Sequence, residues 1–367
     1  MCLLITFSVV VLIQFYFYIF LFGPYVFSVR NYRKDSDLPI SVLVCAKNEE
    51  ANLKRLLPSL LAQNYSDFEI ILIDDASTDD SLHVMNAFKT QHASSQVTIQ
   101  VIAIETEESK GKKFALTRGI MASKNEHLLF TDADCIPASK NWIQFISNSF
   151  STRISLILGY GAYSKIKGSF LNKLIRYETL ITAVQYFSYA QAGNAYMGVG
   201  RNIAYTKEKF LEACGFQAHK HIRSGDDDLF VKQVTTSLNT GICDDPQSFT
   251  YSKPEISFTK WLSQKRRHIT TSSHYKKYHK FFLGIFYLSQ IAFYVLTIAA
   301  LVFQEQVTLV LGLFLFRFAF WYLIMIKSAY RLKEKDLIGF GPLYEISLIF
   351  IQLYIFLKNI ISSPKNW

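Results

Sequence analysis

Leu128-Leu129-Phe130-Thr131-Asp132-Ala133-Asp134-Cys135 reads as a short apolar strand that runs out into two carboxylates spaced i, i+2. Alternate residues of an extended strand point the same way. Asp132 and Asp134 are therefore expected to present both carboxylates on one side, at the strand's carboxyl end. Open α/β sheets bind ligands at that edge. Two hard oxygen donors there suit Mg²⁺ or Mn²⁺ held jointly with a substrate diphosphate. An Asp-x-Asp after an apolar run is also a common solvated turn, so the surrounding chain has to decide.

Upstream, Ile40-Ser41-Val42-Leu43-Val44-Cys45-Ala46 has the pattern of a buried strand after Pro39. Leu53, Leu56, Leu57, Leu60 and Leu61 then recur at helical spacing. A second strand over 68–73 ends in Asp74-Asp75, a helix follows, and a third strand is expected over 97–104. Lys110-Gly111-Lys112-Lys113 precedes a helix that should start near Phe114. The strand carrying Asp132 is the fourth. Strands alternating with helices form parallel β-α-β units with right-handed crossovers, which put helices on both faces of one sheet. The stretch 159–205 is less regular. It holds an aromatic-rich helix over 170–189, expected near a membrane surface, and a strand at 202–205. Ser224-Gly225-Asp226-Asp227-Asp228 places three carboxylates at the start of another helix.

The chain has 367 residues, is 50% hydrophobic and 15% aromatic, and carries a formal charge of +10. The apolar residues concentrate at the two ends. Residues 1–29 contain no charge and are long enough to span a bilayer. They lack the positive start and small-residue finish of a cleaved signal, so a retained anchor is expected. Arg30, Arg33 and Lys34 follow it and assign that side to the cytoplasm. Basic residues lie beside the apolar ends, which accounts for the charge without nucleic acid. Five scattered cysteines show no Cys-x-x-Cys spacing and read as free thiols. Residues 256–280 mix aromatic and basic side chains, as a helix lying in the interface does. Two spans are expected over 281–303 and 307–326, the second with Arg317 inside it. A third apolar stretch over 338–357 contains Glu345 and either spans or dips in and returns. Arg331, Lys333 and Lys335 again point to the cytoplasm; Lys358 and Lys365 fit less well with four full spans. The expected organisation is an anchor (1–29), a catalytic domain (38–255), an interface segment (256–280) and C-terminal spans (281–363).

Four constellations follow in fixed order. Asp74 and Asp75 can accept hydrogen bonds from a base or ribose, or cap a turn. Lys110-Gly111-Lys112-Lys113 can approach a phosphate through glycine backbone and lysine charge, or form a basic turn. Asp132 and Asp134 form the third. Asp226-Asp227-Asp228 can supply a general base or an acidic first helical turn. No Gly-x-Gly-x-x-Gly follows either early strand, which argues against a dinucleotide cofactor.

Taken as an ordered set, these stretches resemble the family 2 glycosyltransferases, inverting GT-A enzymes that use nucleotide sugars. The matching runs are Val42-Leu43-Val44-Cys45-Ala46-Lys47-Asn48-Glu49-Glu50, Leu72-Ile73-Asp74-Asp75-Ala76-Ser77-Thr78-Asp79, Gly111-Lys112-Lys113-Phe114-Ala115-Leu116, Thr131-Asp132-Ala133-Asp134, Gly225-Asp226-Asp227-Asp228-Leu229 and Gln264-Lys265-Arg266-Arg267. The resemblance implies that Asp74 and Asp75 hold the nucleoside, Lys112 lies by the donor, and Asp132 and Asp134 bind Mg²⁺ or Mn²⁺. The base would come from Asp226 to Asp228, with Asp227 favoured. Gln264 and Arg267 match the Gln-x-x-Arg-Trp of membrane-embedded members, with Arg267 steadying the leaving diphosphate. His268 stands where those members have tryptophan, which argues against processive polymer synthesis. The implied reaction is single displacement at the anomeric carbon by an acceptor hydroxyl. The implied donor is a nucleotide sugar, with UDP favoured. A lipid or lipid-linked acceptor is expected because the site should lie close to the cytoplasmic face of the inner or plasma membrane. Three alternatives are told apart by their products or lack of one: a processive synthase, a nucleotidyltransferase releasing pyrophosphate, and a non-catalytic nucleotide-sugar-binding scaffold.

Overall fold

The computed structural model describes residues 2–30, 37–105, 111–222 and 224–362. Arg33, Lys34, Lys110 and Lys365, singled out above, lie outside the described residues. The chain divides into two compact units. One comprises Arg30–Lys165 and Gly193–Pro254; the other comprises Met1–Val29, Ile166–Ala192 and Glu255–Trp367. The stretch 38–255 is thus interrupted, because residues 166–192 group with the apolar helices.

The first unit is built on ten strands: β1 (Ile40–Ala46), β2 (Phe68–Asp75), β3 (Thr98–Ile104), β4 (His127–Asp132), β5 (Cys135–Pro137), β6 (Leu156–Gly159), β7 (Gly161–Tyr163), β8 (Ile203–Thr206), β9 (Thr240–Cys243) and β10 (Thr250–Ser252). Seven form a sheet in the order β3-β2-β1-β4-β8-β6-β9. Only β8 runs against its neighbours. The order turns back between β1 and β4, which makes that pair the switch point where open α/β sheets bind ligands at the carboxyl edge. β5, β10 and β7 form a separate three-stranded sheet. Three-residue strands carry no readable alternation, which is why sequence periodicity does not reveal them.

The two faces of the large sheet follow from the period of two. Ile40, Val42 and Val44, with Ile70, Leu72 and Leu129, pack against Leu53, Leu56, Leu57 and Leu60 of the helix Glu50–Leu61, and against Met85, Trp142 and Ile146. The intervening residues face the helix Lys112–Ala122. Gly119 of that helix sits so close to β1 and β2 that an added Cβ would lie 2.3 Å from Ile73 Cδ1 and 3.3 Å from Leu43 Cδ2. The sheet is therefore covered on both sides, as a buried parallel sheet requires.

Among the described residues, four helices of the second unit are long and apolar enough to cross a membrane: Cys2–Phe27, Lys277–Val302, Val307–Arg331 and Gly341–Ile361. The first contains a π-helical stretch, Phe17–Phe22. The last is unbroken over 21 residues. At a rise of about 1.5 Å per residue that gives about 30 Å, the thickness of a bilayer core, so it is long enough to cross without turning back. The aromatic-rich stretch forms the helix Phe170–Gln191, and the basic one forms Phe258–Thr270.

Arg317 and Glu345, each noted above inside an apolar stretch, meet. Arg317 Nη2 lies 2.5 Å and Nη1 3.0 Å from the Glu345 carboxylate oxygens. Arg317 Nε donates to Gln14 Oε1 at 2.7 Å, and Nη2 to the Tyr18 hydroxyl at 3.1 Å. Tyr294 and Gln290 donate to Glu345 at 2.6 and 3.1 Å. The guanidinium also lies over Phe293 and Phe318 at 4.8 and 4.9 Å. A charge within an apolar span is costly unless it is paired; here each is paired and hydrogen-bonded across four helices.

Candidate active site

Asp132 is the last residue of β4, and it shares the face of Phe130. That face fronts a pocket lined by Leu43, Cys45, Lys112, Leu116, Phe130, Thr131, Asp132, Gly200, Ile203, Tyr205, Asp226 and Asp227. Asp134 differs from expectation. The strand ends at Asp132, and Asp134 lies in the turn between β4 and β5. Burial, and then the charge of Asp132, raise its carboxyl above the usual range. The two carboxylates therefore feel each other through the turn rather than along a strand.

Lys112 begins its helix two residues earlier than Phe114. Gly111 sits just before it at φ +89°, a conformation that favours glycine. The Lys112 ammonium lies 2.8 Å from Asp132 Oδ1 and 3.0 Å from Asp226 Oδ2. Burial opposes its charge, but Asp132 and Asp226 outweigh burial and hold it well above the usual lysine range. One cation from the helix thus joins the end of β4 to the acidic turn.

Asp226, Asp227 and Asp228 divide their work at the start of the helix Asp228–Val234. Asp227 is the N-cap, and its Oδ1 accepts from Asp228 N at 2.7 Å. Its Oδ2 accepts from Gly200 N at 2.8 Å. Burial, then the neighbouring charges of Asp226 and Asp228, push its carboxyl up to about 7. Asp228 is turned inward, and its Oδ1 accepts from Leu229 N at 2.8 Å. Among the three, Asp227 combines a place on the pocket wall with a proton affinity suited to a base at neutral pH.

Asp74 and Asp75 are the last two residues of β2 rather than a turn after it, and both are buried. Asp74 Oδ2 accepts from Ser77 N at 3.1 Å, and Oδ1 is buried with no hydrogen-bond partner. Loops beyond β1 and β2 are stitched together by Asn48, whose Oδ1 accepts from Thr78 N at 2.7 Å. Glu49 lies near the pair as well: burial, then Asp134 and Asp132, raise its carboxyl. Gln264 and Arg267 lie on the helix Phe258–Thr270 of the other unit. Lys265 of that helix pairs with Glu178 at 2.5 Å, and Arg266 donates to Asn359 at 2.8 Å. The structure thus brings together Lys112, Asp132, Asp226 and Asp227 in one pocket.

The fit of a divalent cation can be tested on these groups. Asp132 and Asp134 are hard oxygen donors, and Asp132 already attracts an ammonium. The residues fit Mg²⁺ or Mn²⁺. Among the described residues no three His, Cys, Asp or Glu side chains form a group that could hold a metal ion. The pair would therefore need oxygens from a substrate to complete coordination, as Mg²⁺ bound with phosphates commonly does.

Several contributors escaped the sequence. Gly200 supplies a backbone donor to Asp227, and Tyr205 lines the pocket while stacking on Phe130 at 4.5 Å. Arg201 lies over the Tyr163 ring at 4.3 Å and donates to Ser252 Oγ at 3.1 Å, near Asp134. The run Gly198-Val199-Gly200-Arg201 just before a strand was the available signal.

Residues 41–212 match the family described as Glycosyl transferase family 2. The chain is 31% identical over 134 residues to a poly(ribitol-phosphate) beta-glucosyltransferase of Bacillus spizizenii, covering 36% of this chain and 19% of that protein. It is 26% identical over 145 residues to a UDP-Glc:alpha-D-GlcNAc-diphosphoundecaprenol beta-1,3-glucosyltransferase of Escherichia coli, covering 40% of this chain and 50% of that one. These matches thus span half or less of each relative. Among solved structures, a mannosyltransferase from Pyrobaculum calidifontis, in complex with GDP-Man and Mn²⁺, superposes with a TM-score of 0.57 at 15% identity, covering 90% of this chain and 98% of that one. That likeness establishes the shared GT-A fold. Over residues 41–212, this chain thus matches the family 2 glycosyl transferases.

Proposed function

We propose that the protein is an inverting glycosyltransferase that moves a sugar from a nucleotide-sugar donor to a lipid or lipid-linked acceptor at the cytoplasmic face of a membrane. The observation that carries this reading is the meeting of Lys112, Asp132, Asp226 and Asp227 at the carboxyl edge of β1 and β4. The E. coli relative is named for a diphosphoundecaprenol acceptor and a UDP-glucose donor, and the P. calidifontis enzyme was solved with GDP-Man and Mn²⁺. Four helices of spanning length favour an acceptor that resides in the bilayer. Arg30, beyond the first of these helices, and Arg331, the last residue of the third, favour a cytoplasmic site.

In this mechanism Asp74 and Asp75 bind the nucleoside, and Lys112 and Arg267 neutralise charge on the diphosphate. Gln264 helps to seat the donor. Mg²⁺ or Mn²⁺, held by Asp132 and Asp134, would supply further positive charge for the leaving group. Asp227 takes the proton from an acceptor hydroxyl, and that oxygen forms the new bond to the anomeric carbon from the face opposite the departing diphosphate. Configuration inverts, and no covalent enzyme intermediate forms. Gly200 N and Asp228 N hold the Asp227 carboxylate in place for this role.

A donor screen on detergent-solubilised protein, with Mn²⁺ and a membrane lipid extract, tests the reading. Release of nucleoside diphosphate from one nucleotide sugar is expected. Release of pyrophosphate, or no release from any donor, would overturn it.

A further inference from the structure

Lys113 is adjacent in sequence to Lys112 but faces a different partner. Its ammonium lies 2.7 Å from His219 Nδ1, 2.8 Å from the His219 carbonyl and 3.0 Å from the Ile222 carbonyl. Both residues are largely buried. An ammonium has three hydrogens and no lone pair, so these three contacts use its donors fully. Burial, and then the Lys113 charge, push His219 down to about 4. The ring is therefore neutral at pH 7, and Nδ1 is free to accept.

The segment held in this way leads directly into the acidic turn. It begins with the 3₁₀ turn Gln217–His219, passes Ile222, and reaches Gly225 at φ +86° just before Asp226. Two carbonyls within this short segment accept from one side chain, and that of His219 also accepts from Ile222 N at 3.1 Å. Lys113 itself is fixed by the helix Lys112–Ala122, which packs on β1 and β2. The first turn of one helix thus holds two points of the same substructure: Lys112 grips Asp226, and Lys113 grips the chain that carries it.

We propose that Lys113 is a positioning residue for the acidic turn: by clamping His219 and Ile222, it sets where Asp226 and Asp227 stand relative to Asp132 and the bound donor. This rests on the glycosyltransferase reading above. Lys113 is not among the residues that line the pocket, so in that role it acts on placement of the base and not on donor affinity. A displacement of about 1 Å in a catalytic group costs on the order of a hundredfold in rate.

The test compares Lys113→Met and His219→Ala with the wild-type protein in detergent. Steady-state kinetics and amide hydrogen exchange over residues 217–222 are measured in parallel. Lys113→Met is expected to lower kcat by about a hundredfold with the donor KM within threefold of wild type. Exchange of the 217–222 amides should accelerate. His219→Ala leaves both carbonyl contacts and should lower kcat by less. If Lys113→Met fails to fold, His219→Ala decides: reduced kcat with unchanged KM supports the clamp, and unchanged kcat overturns it. Unchanged kcat and exchange in a folded Lys113→Met also overturns it, as does a raised KM at constant kcat, which would make Lys113 a donor-binding group. If the wild type turns over no donor, the glycosyltransferase reading has failed, while the exchange result still judges the clamp.

Discussion

Asp227 carries most of the chemistry assigned to a single side chain, and its surroundings explain why. Burial and two flanking carboxylates push its proton affinity to about 7, while Lys112 and the Gly200 amide limit the rise. A base acts only when deprotonated, so kcat/KM should climb about tenfold per pH unit below about 6 and level off above about 7. A rate flat between pH 5 and 8 would contradict the assignment. The same shift has a stability consequence. The folded carboxyl binds its proton more tightly than the unfolded one, whose value is 3.8. Its contribution therefore favours the fold below about pH 4 and is lost as pH rises towards 7. Asp227→Asn keeps an acceptor for the cap and removes the charge. Its melting temperature should rise relative to wild type as pH goes from 5 to 8, read by differential scanning fluorimetry. Asp132 and Asp227 were both legible from strand ends and acidic clustering. The bond from Lys112 to Asp226 was not, because nothing local in either stretch specifies a partner so far along the chain.

At the scale of elements, the helix Lys112–Ala122 is the part that delivers two lysines to the site. It lies close to the sheet because Gly119 presents no side chain to Ile73 and Leu43. Gly119→Val would drive methyl groups into Ile73, an overpacking that costs about 1–3 kcal/mol. The helix would be pushed outward, so the variant should melt lower and bind donor more weakly. A melting temperature equal to wild type would show that the interface has more room than the structure gives it. The four leading strands and their helices were readable because each apolar run is long enough to display its period. β1 was placed to the residue, whereas β2 runs on through Asp74 and Asp75. The sequence places those carboxylates at the end of the strand, with a turn cap as the alternative, because polar residues blur where an apolar run stops. The sheet β5-β10-β7 stayed hidden because its strands are three residues each and come from distant parts of the chain. Asp134 left the strand face for the same reason: the turn into β5 begins at Ala133, and nothing in Asp-Ala-Asp marks that break.

At the scale of the whole molecule, the most deeply buried charges of the apolar unit sit in paired, hydrogen-bonded clusters. The clearest is the Arg317–Glu345 pair with Gln14, Tyr18, Gln290 and Tyr294. Sequence reading noted each charge as an oddity in an apolar stretch but had no means of joining them. Removing one partner leaves the other buried and unpaired, which costs about 3–5 kcal/mol, whereas removing both costs far less. Arg317→Met should therefore lower the melting temperature in detergent sharply, and Arg317→Met with Glu345→Gln should recover most of the loss. Equal losses in the single and double variants would mean that the pair is not a coupled unit. A second cluster, buried Arg176 and Glu334 with exposed Asp336, ties the helix Phe170–Gln191 to the segment after Arg331. Both clusters lie in the unit that holds the helices of spanning length, and the proposed acceptor resides in the lipid. The most direct test of that claim is transfer of radiolabelled sugar from the nucleotide-sugar donor into a membrane lipid extract, by the wild type and by Asp227→Asn of matched folding. Label should enter an organic-extractable product with the wild type and fall at least a hundredfold with Asp227→Asn. Equal labelling by both proteins, or label that enters only water-soluble products, would contradict the account.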